Sequence, residues 1–407
     1  MRQFQIKGSH VVLPYEAKPP LKLTTKNQIN CPQLNLLIPM QNFTISHKLA
    51  LLMILGWSLT QTAFGQVTHR VNNNPAAAAP FTTIQAAVDA AQPGDIILVE
   101  GSGTQYSGFT LNKQLTITGP GYFFSPNTPR NPVNQVNNLE ARVFTMSLSN
   151  GCSGSIIQGL YIALSINLSS QLAGATLNNI TIRRNKIGNI SCSLPANVES
   201  STGWLITQNY ILGSPVFSGP SSTNIVNGVI SNNFIGTNIS LFNANFSLFN
   251  NVIFTVSGGP ASTLSIYNNI FRGSNTILHI DGRAGASIIH LNNIYENQIS
   301  STYTPQISID GVVNNITATN GNVIIQTPGT VFLGATGNTT DGQWQLKSDS
   351  PAIDAGVDGV DCGMFGGSTP YILSGIPPVP VITNMTSTGA GNNTTPLNVT
   401  ISVTGNQ

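Results

Sequence analysis

The segment LFNNVIF, residues 248–254, places two adjacent carboxamides, Asn250 and Asn251, inside a stretch that otherwise has the composition of a buried strand. The same figure returns as IYNNIF at 266–271 and as HLNNIY at 290–295. A single Asn pair would mark a turn. Three copies at short intervals indicate an internal repeat, and such a repeat predicts an architecture of stacked, similar units.

The repeat extends over six segments when the second carboxamide of each pair is aligned, with spacings of 24, 24, 18, 18 and 24 residues. An apolar residue stands three positions before and two positions after the aligned Asn in nearly every segment. Fainter copies occur around Gly159 before this block and at Val312 with Asn315 after it. The aligned residues are Asn185, Asn209, Asn233, Asn251, Asn269 and Asn293.

The unequal separation of three and two positions breaks strict alternation, as happens when a chain turns a corner between two short strands. A corner requires a left-handed or bridge conformation, which Asn and Gly tolerate best. We therefore predict the corner at the aligned Asn, with Gly159 at the equivalent place. Stacked units would put these side chains above one another, so their amides are predicted to form a hydrogen-bonded ladder.

The N-terminal region has the features of a leader. The apolar run LALLMILGWSL at 49–59 follows Lys48 and precedes Ala63-Phe64-Gly65, which is typical of a secretory signal cleaved near Gly65. The run is too short for a membrane-spanning helix. We predict a misassigned extension at 1–39, the signal at 40–65, a solenoid at 66–380 and a C-terminal strand or tail at 381–407. Residues 122–141 are predicted to form a long loop.

Beyond residue 65 the chain carries 10 basic and 13 acidic residues, so its formal charge is 10 − 13 = −3. This balance leaves no basic stripe and argues against a nucleic-acid partner.

Cys152, Cys192 and Cys362 are an odd number and cannot all pair within one chain. Cys152 and Cys192 are separated by close to two repeats, or about 10 Å, whereas a disulfide needs Cα atoms within about 7 Å. We predict no bridge between them.

The segment PFTTIQAAVDAAQPGDIILVE, residues 80–100, has a short apolar helical face at Ile84, Ala87, Val88 and Ala91, followed by a strand. With the repeat, residues 80–123, which begin with this segment, resemble the capping helix and first coil of secreted right-handed parallel β-helix proteins of the pectin-lyase-like superfamily. Residues 348–380 resemble the closing segment of such proteins from Bacteroidetes-type bacteria. The resemblance implies an all-β fold, a right-handed parallel β-helix (solenoid) of roughly ten to thirteen coils, with a short N-terminal capping helix.

The superfamily includes pectate lyases, with carboxylate clusters that hold calcium, and polygalacturonases, with Asp pairs; neither pattern is present in the repeats. The best catalytic candidates are His279, Asp281 and Arg283, with the first two predicted on one strand face. Glu296 or Asp310 could approach from later coils. A solvated strand edge with an Asp-Gly turn explains the same residues. His290 holds an inward position and is interpreted as a core histidine.

Two further sets of residues allow a functional interpretation. Asp354, Asp358 and Asp361, with Asp349 nearby, could bind calcium or could shape turns; no other cofactor is predicted. An apolar stripe follows the aligned Asn residues and would bind a sugar or a protein if exposed, but a loop or the C-terminal segment could cover it. The stripe consists of Tyr210, Phe234, Val252, Ile270 and Ile294.

The lack of paired carboxylates in the repeats favours a non-catalytic function. We expect a monomeric secreted or cell-surface module that binds polysaccharide (glycan) or a surface protein, or serves a structural role, without spanning the membrane. The alternative is an enzyme, a polysaccharide lyase or glycoside hydrolase with an unusual site.

Overall fold

The computed structural model describes residues 4–6, 65–124, 139–168, 176–194, 201–219, 225–274, 276–299, 302–378, 380–387 and 396–405. Contacts divide the chain into two units, Lys7–Gly65 and the remainder. The predicted signal and most of the predicted loop at 122–141 lie outside the described residues. Among the described residues, none of the helices has the length and apolar character needed to cross a membrane.

The larger unit is an all-β, solenoid-like fold built from two long sheets in which nearly all neighbouring strands are parallel. The first sheet has eleven strands: β2 (Thr68–Val71), β3 (Ile96–Val99), β5 (Thr116–Thr118), β7 (Ile156–Gln158), β9 (Thr181–Arg183), β11 (Ser201–Thr202), β12 (Leu205–Thr207), β15 (Ile225–Ser231), β18 (Ala244–Phe249), β21 (Thr263–Tyr267) and β24 (Ser287–Leu291).

The second sheet has sixteen strands, and the chain alternates between the two sheets as it advances. These strands are β4 (Phe109–Leu111), β6 (Arg142–Leu148), β8 (Tyr161–Leu168), β10 (Lys186–Ser193), β13 (Tyr210–Ile211), β14 (Val216–Ser218), β16 (Phe234–Ile235), β17 (Asn238–Phe242), β19 (Val252–Ile253), β20 (Thr255–Gly258), β22 (Ile270–Gly273), β23 (Thr276–Gly282), β25 (Ile294–Asn297), β26 (Thr304–Ile309), β27 (Val312–Asn315) and β28 (Val323–Ile325).

A third, antiparallel sheet contains β1 (Phe4–Ile6), β30 (Val399–Gly405) and β29 (Pro380–Ser387), in that order.

The helix α1 (Ile84–Ala90) has the predicted apolar face, since Ile84, Ala87 and Val88 are buried. The hydroxyl of Thr83 accepts a hydrogen bond from the Ala86 amide and caps the first turn. The predicted capping helix is thus present, and α1 contacts the first strands of both sheets.

The Asn ladder is present and runs through the solenoid core. The side-chain amide of Asn251 donates to Asn269 Oδ1 at 2.9 Å, and Asn233 donates to Asn251 Oδ1 at 2.9 Å. The same bonds link all six aligned Asn residues, each of which is 0% exposed. Asn322 continues the ladder, because its Oδ1 accepts a hydrogen bond from the Asn293 backbone amide at 3.0 Å. The prediction that the repeat continues at Asn315 was therefore wrong. Asn315 instead lies in β27, an antiparallel partner of β26.

The corner conformation lies one residue earlier than we predicted. Positive φ angles occur at the first residue of each pair, for example 53° at Asn250 and 57° at Asn268. Gly159, with φ of 70°, aligns with Arg184 because its amide donates to the Arg184 carbonyl. The two carboxamides therefore have different roles. The first adopts the left-handed conformation of the turn, and the second hydrogen-bonds buried backbone groups.

We call residues 331–376 the strap, and its part from 355 to 376 runs along the row of corners in the opposite direction to the coils. The first residue of each corner bonds to the strap backbone; Asn250 Nδ2, for example, donates to the Asp361 carbonyl at 2.8 Å. The other pairs are Asn292 with Ala355, Asn268 with Val357, Asn232 with Gly366, Gln208 with Pro370 and Arg184 with Ile376. Each corner thus recognises main chain rather than a particular strap side chain.

Candidate ligand-binding surface

The structure does not bring His279, Asp281 and Arg283 together. A register shift between Leu278 and Ile280 turns His279 inward, where it is 0% exposed, whereas Asp281 is half-buried on the outer face and Arg283 is exposed. The expectation that His279 and Asp281 share a strand face was wrong, because the irregularity at this point breaks the two-residue alternation.

The surroundings of His279 are those of a core residue. Its ring lies 2.7 Å from the Phe254 carbonyl oxygen and 2.5 Å from the Tyr303 hydroxyl. Burial lowers the pKa of His279 to about 4, which keeps the imidazole neutral near pH 7. Asp310, which we expected to approach, is exposed and accepts a hydrogen bond from the Gly285 amide.

Glu296 also lies apart from His279, on the outer face of the second sheet beneath the strap. It is 1% exposed and pairs in register with Arg272, whose guanidinium lies 4.1 Å from the Trp344 ring centroid. Burial raises the pKa of Glu296 to about 7, although Arg272 and Gln298 favour its charged form. The strap excludes this pair from direct contact with a polymeric ligand.

The acidic candidates shape turns within the strap. Asp361 Oδ1 accepts a hydrogen bond from the Asp354 amide at 3.0 Å. Asp354 and Asp358 have φ angles of 54° and 59°, which Asp tolerates in tight turns. Among the described residues, no three His, Cys, Asp or Glu side chains are grouped so as to hold a metal ion.

The apolar stripe is covered by the strap. Tyr210 and Phe234 stack at 4.3 Å, and Phe234 stacks on Trp344 of the strap at 4.8 Å. All five stripe residues are buried with Val331, Phe332, Ala352, Cys362, Met364 and Tyr371. Exposing such side chains costs about 1.5–3 kcal/mol each, and the sum approaches the whole net stability of a domain. The covering alternative therefore holds, and Tyr210, Phe234 and Ile270 are closed to ligands.

The column that forms this stripe continues beyond the strap, where Arg142 is exposed and Tyr161 and Lys186 are half-buried. In register, Tyr210 follows Lys186, Tyr161 and Arg142 on successive strands. The Lys186 ammonium lies 3.9 Å from the Tyr161 ring centroid and the Arg142 guanidinium lies 5.1 Å from it. We call Arg142, Tyr161 and Lys186 the open surface.

Positive charge without a close ion-pair partner among the described residues distinguishes the open surface. The ion pairs among the described residues are His69–Asp95 and Arg70–Glu100, so no described carboxylate lies within 4.0 Å of Arg142 or Lys186. Burial lowers the pKa of Lys186, and the more distant Glu140 partly offsets that effect. Two cations beside one ring, in a chain with only 7% charged residues, form a site suited to an anionic ligand.

Apolar surface adjoins the open surface. Phe144 is 48% exposed on the same face of β6 as Arg142, and Leu164 is 53% exposed on β8. A depression of about 440 Å³ is lined partly by Phe124, Glu140 and Arg142. Aromatic rings and short apolar surfaces of this kind accommodate the hydrophobic faces of sugars.

Sequence reasoning missed the open surface although its signal was available. Lys186 directly follows the aligned Asn185, as Tyr210 follows Asn209. Tyr161 occupies the same place in its coil, because Gly159 aligns with Arg184 and Tyr161, like Lys186, lies two residues further on. The stripe was traced only through residues after Asn209 because Lys186 interrupts its apolar character. Comparison with protein-family models, with curated proteins and with solved structures returned no match for this chain.

Proposed function

We propose that this chain is a secreted, right-handed parallel β-helix of the pectin-lyase-like type that binds an acidic glycan without cleaving it. The two long parallel sheets, the Asn ladder and the helix α1 support the fold assignment. The leader pattern at 40–65 supports secretion. The solenoid presents a regular face, and the open surface is the part of it that binds.

The observation that carries this proposal is the arrangement of Arg142 and Lys186 on either side of the Tyr161 ring. Two cations held over one ring repel one another unless an anion joins them. A sugar carboxylate or sulfate would pair with both cations while the sugar ring packs on the exposed Phe144 side chain. The neighbouring Leu164 extends the contact to the next sugar.

The enzymatic alternative, a polysaccharide lyase or glycoside hydrolase, has less support. His279 is enclosed by Phe254 and Tyr303 and cannot touch a polymer on the surface. Among the described residues, no basic side chain forms an ion pair with Asp281. A general acid and base need to reach the scissile bond together.

Binding can be tested with the purified protein on an array of acidic and neutral glycans, followed by calorimetry on the best ligand. We expect Tyr161→Ala, and Lys186→Ala separately, to weaken binding about tenfold or more, as for loss of a stacking or charge-assisted contact. Arg142→Ala should act similarly. No binding to any acidic glycan would contradict the proposal.

Two residues supply matched controls. Arg283 is exposed and lies 5.1 Å from the Phe242 ring, the same separation as Arg142 from Tyr161. Tyr267 stacks on Phe249 on the other sheet. Arg283→Ala and Tyr267→Ala should leave affinity unchanged. Depolymerisation of polygalacturonate by the wild type, abolished by Asp281→Asn, would instead establish the enzyme.

A further inference from the structure

The last full coil of the solenoid contains β24, β25 and β26, and a further strand lies beside two of these three. β28 pairs with β25, and β27 pairs with β26. β24 is the final strand of the first sheet, and no described strand pairs with its outer edge. The opposite end of the solenoid is covered by α1. An uncovered edge is a site at which another chain adds a strand.

The position beside β24, which none of the described strands occupies, is bounded on both sides. The next corner is already in place at Asn320, whose carbonyl accepts from the Asn292 amide at 2.9 Å, and Asn322 extends the ladder. Between β27 and this corner, residues 316–319 form no strand. The coil therefore has its corner and its second-sheet strand, but no part of the chain that the structure describes forms its first-sheet strand.

Side-chain burial shows the same gap. In β21, the inward residues Leu264 and Ile266 are fully buried. Their successors in register, Ile288 and His290, are only half-buried, and Ile289 on the outer face is 58% exposed. A groove of about 660 Å³ lies against β24. The residues that line it are Ile288, Ile289, His290, Leu291, Asn292, Ile309 and Asn320.

The backbone of β24 defines which groups are available. The Ser287 amide donates to the Ser262 carbonyl of the preceding coil, and the Asn292 amide donates to the Asn320 carbonyl on the opposite edge of the strand. Because amide direction alternates along a parallel strand, the amides of Ile288 and His290 face the open edge. None of the described residues that line the groove is Asp, Glu, Lys or Arg, so an occupant would carry uncharged side chains.

We propose that β24 accepts an extended, uncharged strand from a partner polypeptide, which completes the coil as a parallel strand in the first sheet. Main-chain hydrogen bonds to Ile288 and His290 supply the binding, and apolar side chains at alternate positions fill the groove over Ile288 and Ile309. This interaction is independent of glycan binding at the open surface.

The strand of the preceding coil provides a probe, because each coil pairs in register with a similar one. A labelled peptide STLSIYN, residues 262–268, should bind the purified protein in a fluorescence anisotropy titration. In a parallel pairing, the amide of Ser265 in the peptide faces β24 and that of Ile266 faces away. N-methylation at Ser265 should weaken binding about tenfold or more, and N-methylation at Ile266 should not.

Hydrogen exchange of the protein locates the bound peptide. We expect slower exchange at residues 287–291 and no change at Thr68–Val71, the edge strand at the other end of the same sheet. Absence of peptide binding, equal effects of the two N-methyl groups, or protection confined to other strands would overturn the proposal.

Discussion

Asn250 and Asn251 are adjacent in sequence, yet their side chains bond in opposite directions. Asn250 turns outward and donates to the Asp361 carbonyl of the strap at 2.8 Å. Asn251 turns inward and donates to Asn269 Oδ1 at 2.9 Å and to the Ile230 carbonyl at 2.8 Å. The pair thus joins the coils to one another and joins the strap to the coils, which explains why the repeat contains two carboxamides.

Replacement of Asn251 by Leu should lower the free energy of unfolding by about 1–3 kcal/mol, because buried amides of Asn233 would lose their acceptor. Urea denaturation measures the change. Asn238→Leu is the matched control, since Asn238 is exposed, and it should alter stability by no more than about 0.5 kcal/mol. Equal stability of the two variants would show that the ladder contributes nothing.

Replacement of Asn250 separates corner geometry from strap recognition. Asn250→Gly removes the bond to Asp361 but suits the φ of 53°, so it should cost about 1 kcal/mol. Asn250→Ala removes the same bond and adds strain, with a further cost of about 1 kcal/mol. Thermal and urea unfolding of both variants provide the comparison. A more stable Ala variant would contradict the assignment of the corner to this residue.

Glu296 should make stability depend on pH. Its folded pKa of about 7 lies above the ordinary value of 4.5, mainly through burial. Folding therefore favours the protonated form of Glu296. The stability that this form contributes is fully present below pH 4.5 and is lost as pH rises through 7. Each unit of pKa difference corresponds to about 1.4 kcal/mol.

His279 acts in the opposite sense. Its folded pKa of about 4 lies below the ordinary value of 6.5, so its contribution is complete above pH 6.5 and is lost as pH falls towards 4. The two effects oppose each other between pH 4.5 and 6.5. We expect Glu296→Gln to steepen the rise of stability with pH in this window and to remove the loss between pH 6.5 and 7.5, as measured by urea titrations. An unchanged profile would contradict the buried position of Glu296.

The repeat allowed the ladder to be predicted because buried carboxamides have few alternatives to mutual hydrogen bonding. The corner was placed one residue late, since spacing does not distinguish which of two adjacent Asn residues takes positive φ. The direction of the His279 side chain could not be predicted, because it follows from a register irregularity in the pairing of β23 with β26, which the local sequence does not show. The corner side chains bond to the main chain of the strap, so the side chains of the strap carry no matching pattern in the sequence.

The cysteines offer a final prediction, which tests the stacking of the coils. Cys152, Cys192 and Cys362 are all free and buried. Burial raises the pKa of Cys152 and of Cys362 to about 12, so almost no reactive thiolate exists near pH 8. A thiol reagent should therefore leave the native protein of residues 66–407 unlabelled and should add three labels after denaturation without reductant. Mass spectrometry of the intact protein counts the labels. A single label after denaturation, together with a digested peptide pair joining Cys152 to Cys192, would contradict the register of the coils described here.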